Sequence, residues 1–314
     1  MRRASRSTPH GQHVPVVLPE VIAALRPAPG GTVVDCTAGW AGHSRELLRC
    51  VGPTGRLIAL DLDPDNLPRV AERLAEVGTS FVTRHANFAA LPTVLAEEGI
   101  AAVDGILADL GMSSMQVDDA ERGFSYARDG ALDMRMDRSR GRTAAELLAA
   151  ISPAELARAL RELGDEPQAE RLAPLIVEAA RDGQLQRTAD LSRLIQEAAG
   201  VTTWKLHPRP GKWNLHPAAR TFQALRILVN RELANLEQLL RVAPTLLRPG
   251  GVVAIISFHS GEDRLVKAAF RDGLRTGVYA AIADEPVRAG EGERMTNPRS
   301  RSAKLRWART AAVA

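Results

Sequence analysis

The chain has 314 residues, 45% of them hydrophobic and 25% charged, which suits a full α/β core with a second module and excludes a disordered polyelectrolyte. Its 41 Lys and Arg against 37 Asp and Glu leave a net charge of +4, which favours an anionic partner without requiring one. Two cysteines exclude a disulfide scaffold and suit a reducing cytoplasm, and no apolar run reaches the roughly 18 residues of a membrane helix.

Residues 1–8 are rich in Arg and Ser with no hydrophobic stretch behind them, so they read as a basic tail. Strand and helix signals then alternate. Residues 32–36 (TVVDC) form a β-branched run after the Gly30-Gly31 turn, and 43–50 read as a helix. Residues 56–61 (RLIALD) are the second strand, and Asp63-Pro64 opens the next helix with a cap and a first-turn proline. Residues 81–83 and 103–109 (VDGILAD) supply two more strands. This alternation predicts an α/β fold with a doubly wound parallel sheet.

The alternation stops at residue 111. Residues 111–142 form a connection rich in Gly, Ser, Asp and Arg, too long for an ordinary βα loop and therefore expected to be functional or a lid. Thr143 with Glu146 and Ser152 with Glu155 then form capping boxes, and helical signals continue over 168–180 and 189–198. After a loop at 200–216, residues 221–247 read as one long amphipathic helix. Residues 251–257 (GVVAIIS) restore the strand pattern, followed by a helix over 261–270 and weaker strands near 279–283 and 303–308. The expected organisation is a discontinuous domain, 1–111 with 217–314, interrupted by an all-helical substrate-recognition domain over 112–216.

The first strand ends in DCTAGWAGHS (35–44), small residues feeding a helix, a turn that lets backbone N–H groups approach a ligand. Its spacing departs from G-x-G-x-x-G, which argues against a pyrophosphate cradle. Asp61, at the tip of the second strand, is placed to accept from ribose hydroxyls, because Asp63 already serves as the helix cap. DLGMSS (109–114) ends the fourth strand, where ligands bind in open α/β sheets; a carboxylate and two hydroxyls there suit an amine. His259, in SFHS (257–260), lies at the next strand end, where a lone histidine is more often structural than catalytic. The scattered histidines and absent G-x-S-x-G elbow point to neither structural zinc nor a serine hydrolase. Basic residues mix with aromatics at 204–213 and 299–307, a style that can contact phosphates and stack on unpaired bases.

Taken together, HVPVVLPE (13–20), AGHSR (41–45), DLDP (61–64), DGILADLGMSS (104–114), ERGF (121–124), DGALDMRMD (129–137), HPAARTFQALRILVNRE (216–232), SFHSGEDR (257–264) and NPRSRSAK (297–304) resemble one family. It is the bacterial 16S rRNA cytosine-N4 methyltransferases, called RsmH or MraW, and the matching motifs span nearly the whole chain. The resemblance implies a class I methyltransferase sheet, S-adenosylmethionine as cofactor, and a cytosine in the decoding region of 16S rRNA as substrate, within the small ribosomal subunit. Carried over by position, Ala41, Gly42, His43, Asp61, Phe88, Asp109 and Gln116 would hold the cofactor, and Asp109 with Ser113 or Ser114 would face the reacting amine. Ala41 departs from the family by replacing the first glycine of a Gly-Gly pair, so its backbone must avoid positive φ or bear a cost of about 1 kcal/mol. The stretch 204–210 looks like extra sequence before the family's His-Pro. Other readings are an RNA-binding assembly factor without catalysis, a small-molecule or protein methyltransferase, and, more distantly, a nicotinamide dehydrogenase.

Overall fold

The computed structural model describes residues 14–201 and 216–312. The expected basic tail at 1–8 and the basic aromatic stretch at 204–213 lie outside them. The chain divides into two compact units, Met1–Gly111 with Leu233–Ala314, and Met112–Glu232.

The first unit begins with α1 (Leu18–Leu25), β1 (Thr32–Asp35), α2 (Gly42–Val51), β2 (Arg56–Asp61), α3 (Leu67–Ala75), β3 (Phe81–His85), α4 (Leu91–Glu97) and β4 (Val103–Asp109). The second holds α5 (Ser114–Asp118), α6 (Ala144–Ala150), α7 (Pro153–Gly164), α8 (Ala169–Arg181), α9 (Thr188–Ala198) and α10 (Ala219–Asn230). The first unit resumes with α11 (Glu232–Leu246), β5 (Leu247–Ser257), α12 (Ser260–Arg275), β6 (Tyr279–Ile282), α13 (Glu291–Thr296) and β7 (Lys304–Thr310).

Seven strands form one sheet in the order β3-β2-β1-β4-β5-β7-β6. β1 to β5 are parallel, whereas β7 runs antiparallel to both β5 and β6. Successive residues point to opposite faces, and the apolar core follows that period of two. Val33, Leu57, Leu107 and Ala254 pack with Leu47, Leu48 and Val70 on one side. Val34, Ile58, Ile106 and Val253 pack with Leu95, Leu239 and Phe270 on the other. Burial on both faces explains why the strands read as continuous apolar runs.

The single helix expected over 221–247 is two helices. Arg231 takes the left-handed conformation (φ 53°, ψ 37°) and ends α10. Asn230 fixes the break: its amide donates to the carbonyls of Met134 and Arg226, and its Oδ1 accepts from Met136 N–H at 2.7 Å. Arg226 spans the turn with two bonds to Glu232. The second unit therefore runs to Glu232, later than the expected 216, because α10 packs on α7, where Gly164 lies against the Arg220 carbonyl.

The long connection after Gly111 contains a backbone crossing within the second unit. Gly123 meets the Ala131 carbonyl and Gly130 meets the Ala120 carbonyl so closely that neither has room for a Cβ. Buried Arg122 donates to Met136 O at 2.8 Å, and Met134 N–H returns a bond to Arg122 O. The conspicuous stretches ERGF and DGALDMRMD thus build this crossing. Both cysteines are free, and among the described residues no helix is long and apolar enough to cross a membrane.

Candidate cofactor and catalytic site

The carboxyl ends of β1, β2 and β4 carry Asp35, Asp61 and Asp109. Asp35 is buried; its Oδ2 accepts from the Ser44 hydroxyl at 2.5 Å and its Oδ1 from Thr37 N–H at 3.1 Å. Thr37 Oγ1 in turn accepts from Asp109 N–H at 2.7 Å, so the β1 loop is tied to the end of β4. Burial pushes the Asp35 carboxyl above its ordinary value against the opposing charge of His43 and the Ser44 bond. Sequence reasoning left Asp35 out of the site; its only signal was a strand-end carboxylate nine residues before Ser44.

Asp61 Oδ2 accepts from Gly39 N–H at 2.7 Å and Oδ1 from Asp63 N–H at 2.8 Å. The carboxylate thus fixes the tip of the β1 loop, and its remaining lone pairs are what a ribose could use. Burial pushes its carboxyl up to about 6 although those two backbone bonds pull the other way. Asp61→Ala should therefore have two effects. Leaving two backbone donors unmet lowers the melting temperature, and the ribose role expected from the sequence predicts cofactor binding weakened by about 1.5–3 kcal/mol, roughly ten- to 150-fold in Kd. Calorimetry on the folded variant checks this; an unchanged Kd would show that Asp61 serves the loop alone.

Ala41 adopts φ 58°, ψ 23° directly before α2, so it bears the cost of the left-handed region instead of avoiding it. It is also fully buried in the core. Ala41→Gly relieves about 1–2 kcal/mol of strain. That gain is offset by about 0.8 kcal/mol for the lost buried methyl and roughly 0.4–1 kcal/mol of extra unfolded-state entropy. The expected change in stability is within about 1 kcal/mol of zero, whereas Ala41→Val, β-branched at positive φ, should destabilise clearly; paired thermal melts check both.

Gly42 lies beneath Pro15, whose ring atoms would stand 3.1 Å from an added Cβ. Next to it, the His43 ring is buried between two acceptors. Nε2 is 2.9 Å from the Val16 carbonyl, and Nδ1 is 3.7 Å from Asp109 Oδ2. Asp109 exposes a fifth of its side chain (21%), but its Oδ1 is sealed from solvent and has no hydrogen-bond partner. Burial pushes its carboxyl up to about 6; His43 and Arg299 oppose that shift, and Asp35 and Glu262 add to it. A sealed acceptor at a parallel strand end suits a ligand donor such as an amine.

Trp40 supplies a further feature that sequence reasoning passed over. Arg73 lies 5.3 Å and Arg69 6.0 Å from its ring centroid, Arg73 donates to its carbonyl, and its buried indole Nε1 has no acceptor. Phe88 opens the turn after β3, half-buried against the core, behind the cap made by Asn87. Ser113, Ser114 and Gln116 belong to the second unit. Ser113 Oγ accepts from Gln116 N–H and Gln116 Oε1 from Ser113 N–H, so these groups cap α5. His259 likewise caps α12, accepting from Glu262 N–H through Nδ1, with Nε2 3.2 Å from Glu262 Oε1. No cluster of His, Cys, Asp and Glu able to hold a metal occurs among the described residues.

Compared with known families, residues 10–311 match the model of the MraW methylase family. The chain belongs to the MraW methylase family. It is 44% identical to the ribosomal RNA small subunit methyltransferase H of Syntrophotalea carbinolica, over 94% of this chain and 96% of that protein. The methyltransferase H of Sorangium cellulosum is 46% identical over 95% of this chain and 90% of its own length. Among solved structures, an rRNA methylase from Streptococcus thermophilus covers 94% of this chain and 92% of its own with a TM-score of 0.41 and 10% identity. As a member of the MraW methylase family the protein is an S-adenosylmethionine-dependent methyltransferase, as the strand-end loops and the sealed Asp109 oxygen allow.

Proposed function

We propose that the protein methylates the exocyclic N4 of a cytosine in the decoding region of 16S rRNA, in the small ribosomal subunit, in the cytoplasm. The names of its relatives support the RNA substrate, and the partnerless Oδ1 of Asp109 carries the chemistry. S-adenosylmethionine, when bound, supplies an electrophilic methyl group on a sulfonium. In this reading Ala41, Gly42 and His43 line its site, Asp61 accepts from the ribose, Phe88 lies beside the adenine, and Asp109 and Gln116 lie around the methionine end.

The amino lone pair of cytosine is delocalised into the ring, so the protein must orient the base and draw on an N–H as the new bond forms. The Asp109 carboxylate is the acceptor proposed for that N–H. Within the second unit the Ser113 hydroxyl is an acceptor in a helix cap, which favours a supporting role for it over direct catalysis. The second unit is proposed to hold the RNA around the target base, because enzymes that modify a base need it unstacked and accessible. Ala41 keeps its left-handed turn and α2 forms behind it, so the departure from glycine lends no support to an assembly factor without catalysis.

The test is methylation of small subunits from cells lacking the protein, followed by mass spectrometry of digested 16S rRNA. N4-methylcytidine at one position of the decoding region is expected. Its absence, or methylation elsewhere, would overturn the assignment.

A further inference from the structure

We propose that Glu293 and Asn297 are positioning residues for the cofactor: from the C-terminal part of the chain they fasten residues 14–17 across the start of α2, and the fastened segment holds Gly42 and His43 in the conformation that takes S-adenosylmethionine. The inference rests on the assignment of Gly42 and His43 to the cofactor site above and deepens it.

The segment touches the cofactor loop at two consecutive residues. The Pro15 ring lies on Gly42, where three of its carbons would stand 3.1 Å from an added Cβ. The Val16 carbonyl, which can only accept, takes a hydrogen bond from His43 Nε2 at 2.9 Å. The residues on either side are held from the other end of the chain. Val17 N–H donates to Glu293 Oε1 at 3.0 Å, and Asn297 Nδ2 donates to Val14 O at 3.1 Å, across 276 and 283 residues of sequence. The outer pair of the segment thus belongs to Glu293 and Asn297, and the inner pair to the cofactor loop. The two fasteners share one fixed turn: Asn297 N–H donates to Glu293 O at 2.7 Å, Ser300 Oγ donates to Asn297 O, and Arg301 Nε donates to Arg294 O.

Backbone strain is concentrated at this contact. Val17 at φ 46° directly follows the carbonyl that receives His43, and Ala41 at φ 58° directly precedes Gly42. A β-branched residue leaves the left-handed region unless its surroundings forbid it, and such strain recurs at ligand clamps. Full burial of the Val17 side chain and the charge-assisted bond from its N–H to Glu293 hold it there. Cutting that bond lets residue 17 relax and draws the Val16 carbonyl and Pro15 off the loop. The empty loop then spends part of its time in arrangements that do not bind, and the apparent Kd rises as the competent fraction falls.

Glu293→Ala should raise the Kd for S-adenosylmethionine about tenfold by calorimetry while kcat at saturating cofactor stays within about threefold, because bound cofactor itself keeps the loop in place. Glu293→Gln, whose amide oxygen still accepts from Val17 N–H, should bind within about threefold of the parent. Glu291→Ala, which removes the other acid of the same helical turn, should bind as the parent does. Amide exchange at Val17 should be slow in the parent and in Glu293→Gln and about tenfold or more faster in Glu293→Ala. A folded Glu293→Ala that binds cofactor as tightly as the parent, a Glu293→Gln as weak as the alanine variant, or a loss confined to kcat would each overturn the proposal. If Glu293→Ala does not fold, Asn297→Ala decides: a Kd raised about threefold or more is expected, and a parental Kd refutes the fastening. The site assignment is tested separately by the amide signals of Gly42 and His43 as S-adenosylmethionine is added to the parent. Binding that leaves them unmoved would sink the assignment and the proposal with it; signals that respond, with a parental Kd in Glu293→Ala, would sink the proposal alone.

Discussion

Asp109→Asn should fold and, at saturating cofactor and RNA, lose about 10²- to 10⁴-fold in kcat, the usual worth of a positioned general base; cofactor affinity is measured alongside, because the same carboxylate is proposed to lie at the methionine end. The amide keeps the shape of the side chain and removes the negative charge of a carboxylate whose Oδ1 has no hydrogen-bond partner among the described residues. Stability should move the opposite way. The carboxyl is pushed up to about 6 in the folded chain from an ordinary 3.8, so the folded state holds its proton more tightly than the unfolded state. Stability then falls as pH rises from about 4 to 6, and the full cost, on the order of 2–3 kcal/mol, is present above 6. The variant should therefore melt higher than the parent at pH 8 and lose that advantage near pH 4. Single-turnover kinetics with melts at both values check this; parental turnover at saturating cofactor and RNA would remove Asp109 from the chemistry.

Gly130→Ala should cost more than any other single methyl considered above. Its Cβ would stand 1.8 Å from the Ala120 carbonyl oxygen and 2.4 Å from the carbon, and both are backbone atoms. Relief would require prising apart the strands of the crossing, which Thr188 also ties: its hydroxyl accepts from Gly130 N–H and donates to Arg128 O. A loss of about 4 kcal/mol or more is expected, at the severe end for a point substitution. Gly183→Ala is the control, at positive φ with open space around it, and should cost about 1 kcal/mol. Limited proteolysis should cut the second unit of Gly130→Ala first; a melting temperature within a few degrees of the parent would contradict the crossing.

What the sequence revealed, and what it hid, follows from the range of the forces involved. The strands at 56–61 and 103–109 were legible to the residue because β-branched runs between turn residues are a local signal. The break at Arg231 was not, since the apolar period continues through Leu225, Leu228, Leu233 and Leu236 and no glycine marks the left-handed residue. It is imposed by Asn230 reaching Met134 and Met136, far away in sequence. Ser113 and Gln116 carried the pattern of a capping box, the same local signal that placed α6 and α7 correctly. Strand-end position singled out Asp61 and Asp109, but the pairing of His43 with Asp109 across 3.7 Å could not be seen, because burial and ring orientation are properties of the folded chain.

The sheet order sets a timetable for synthesis. β4 takes β5 as its neighbour, with Val103 opposite Leu247, and the whole second unit is made between them. At about 5–20 residues per second, the ribosome needs on the order of ten seconds to deliver the partner strand. Until then one side of β4, an apolar run, offers unpaired backbone groups to any other nascent chain. A second unit that folds by itself during that interval keeps its own apolar surface out of reach. The unpaired β4 edge is therefore the point at which slow translation would cost yield.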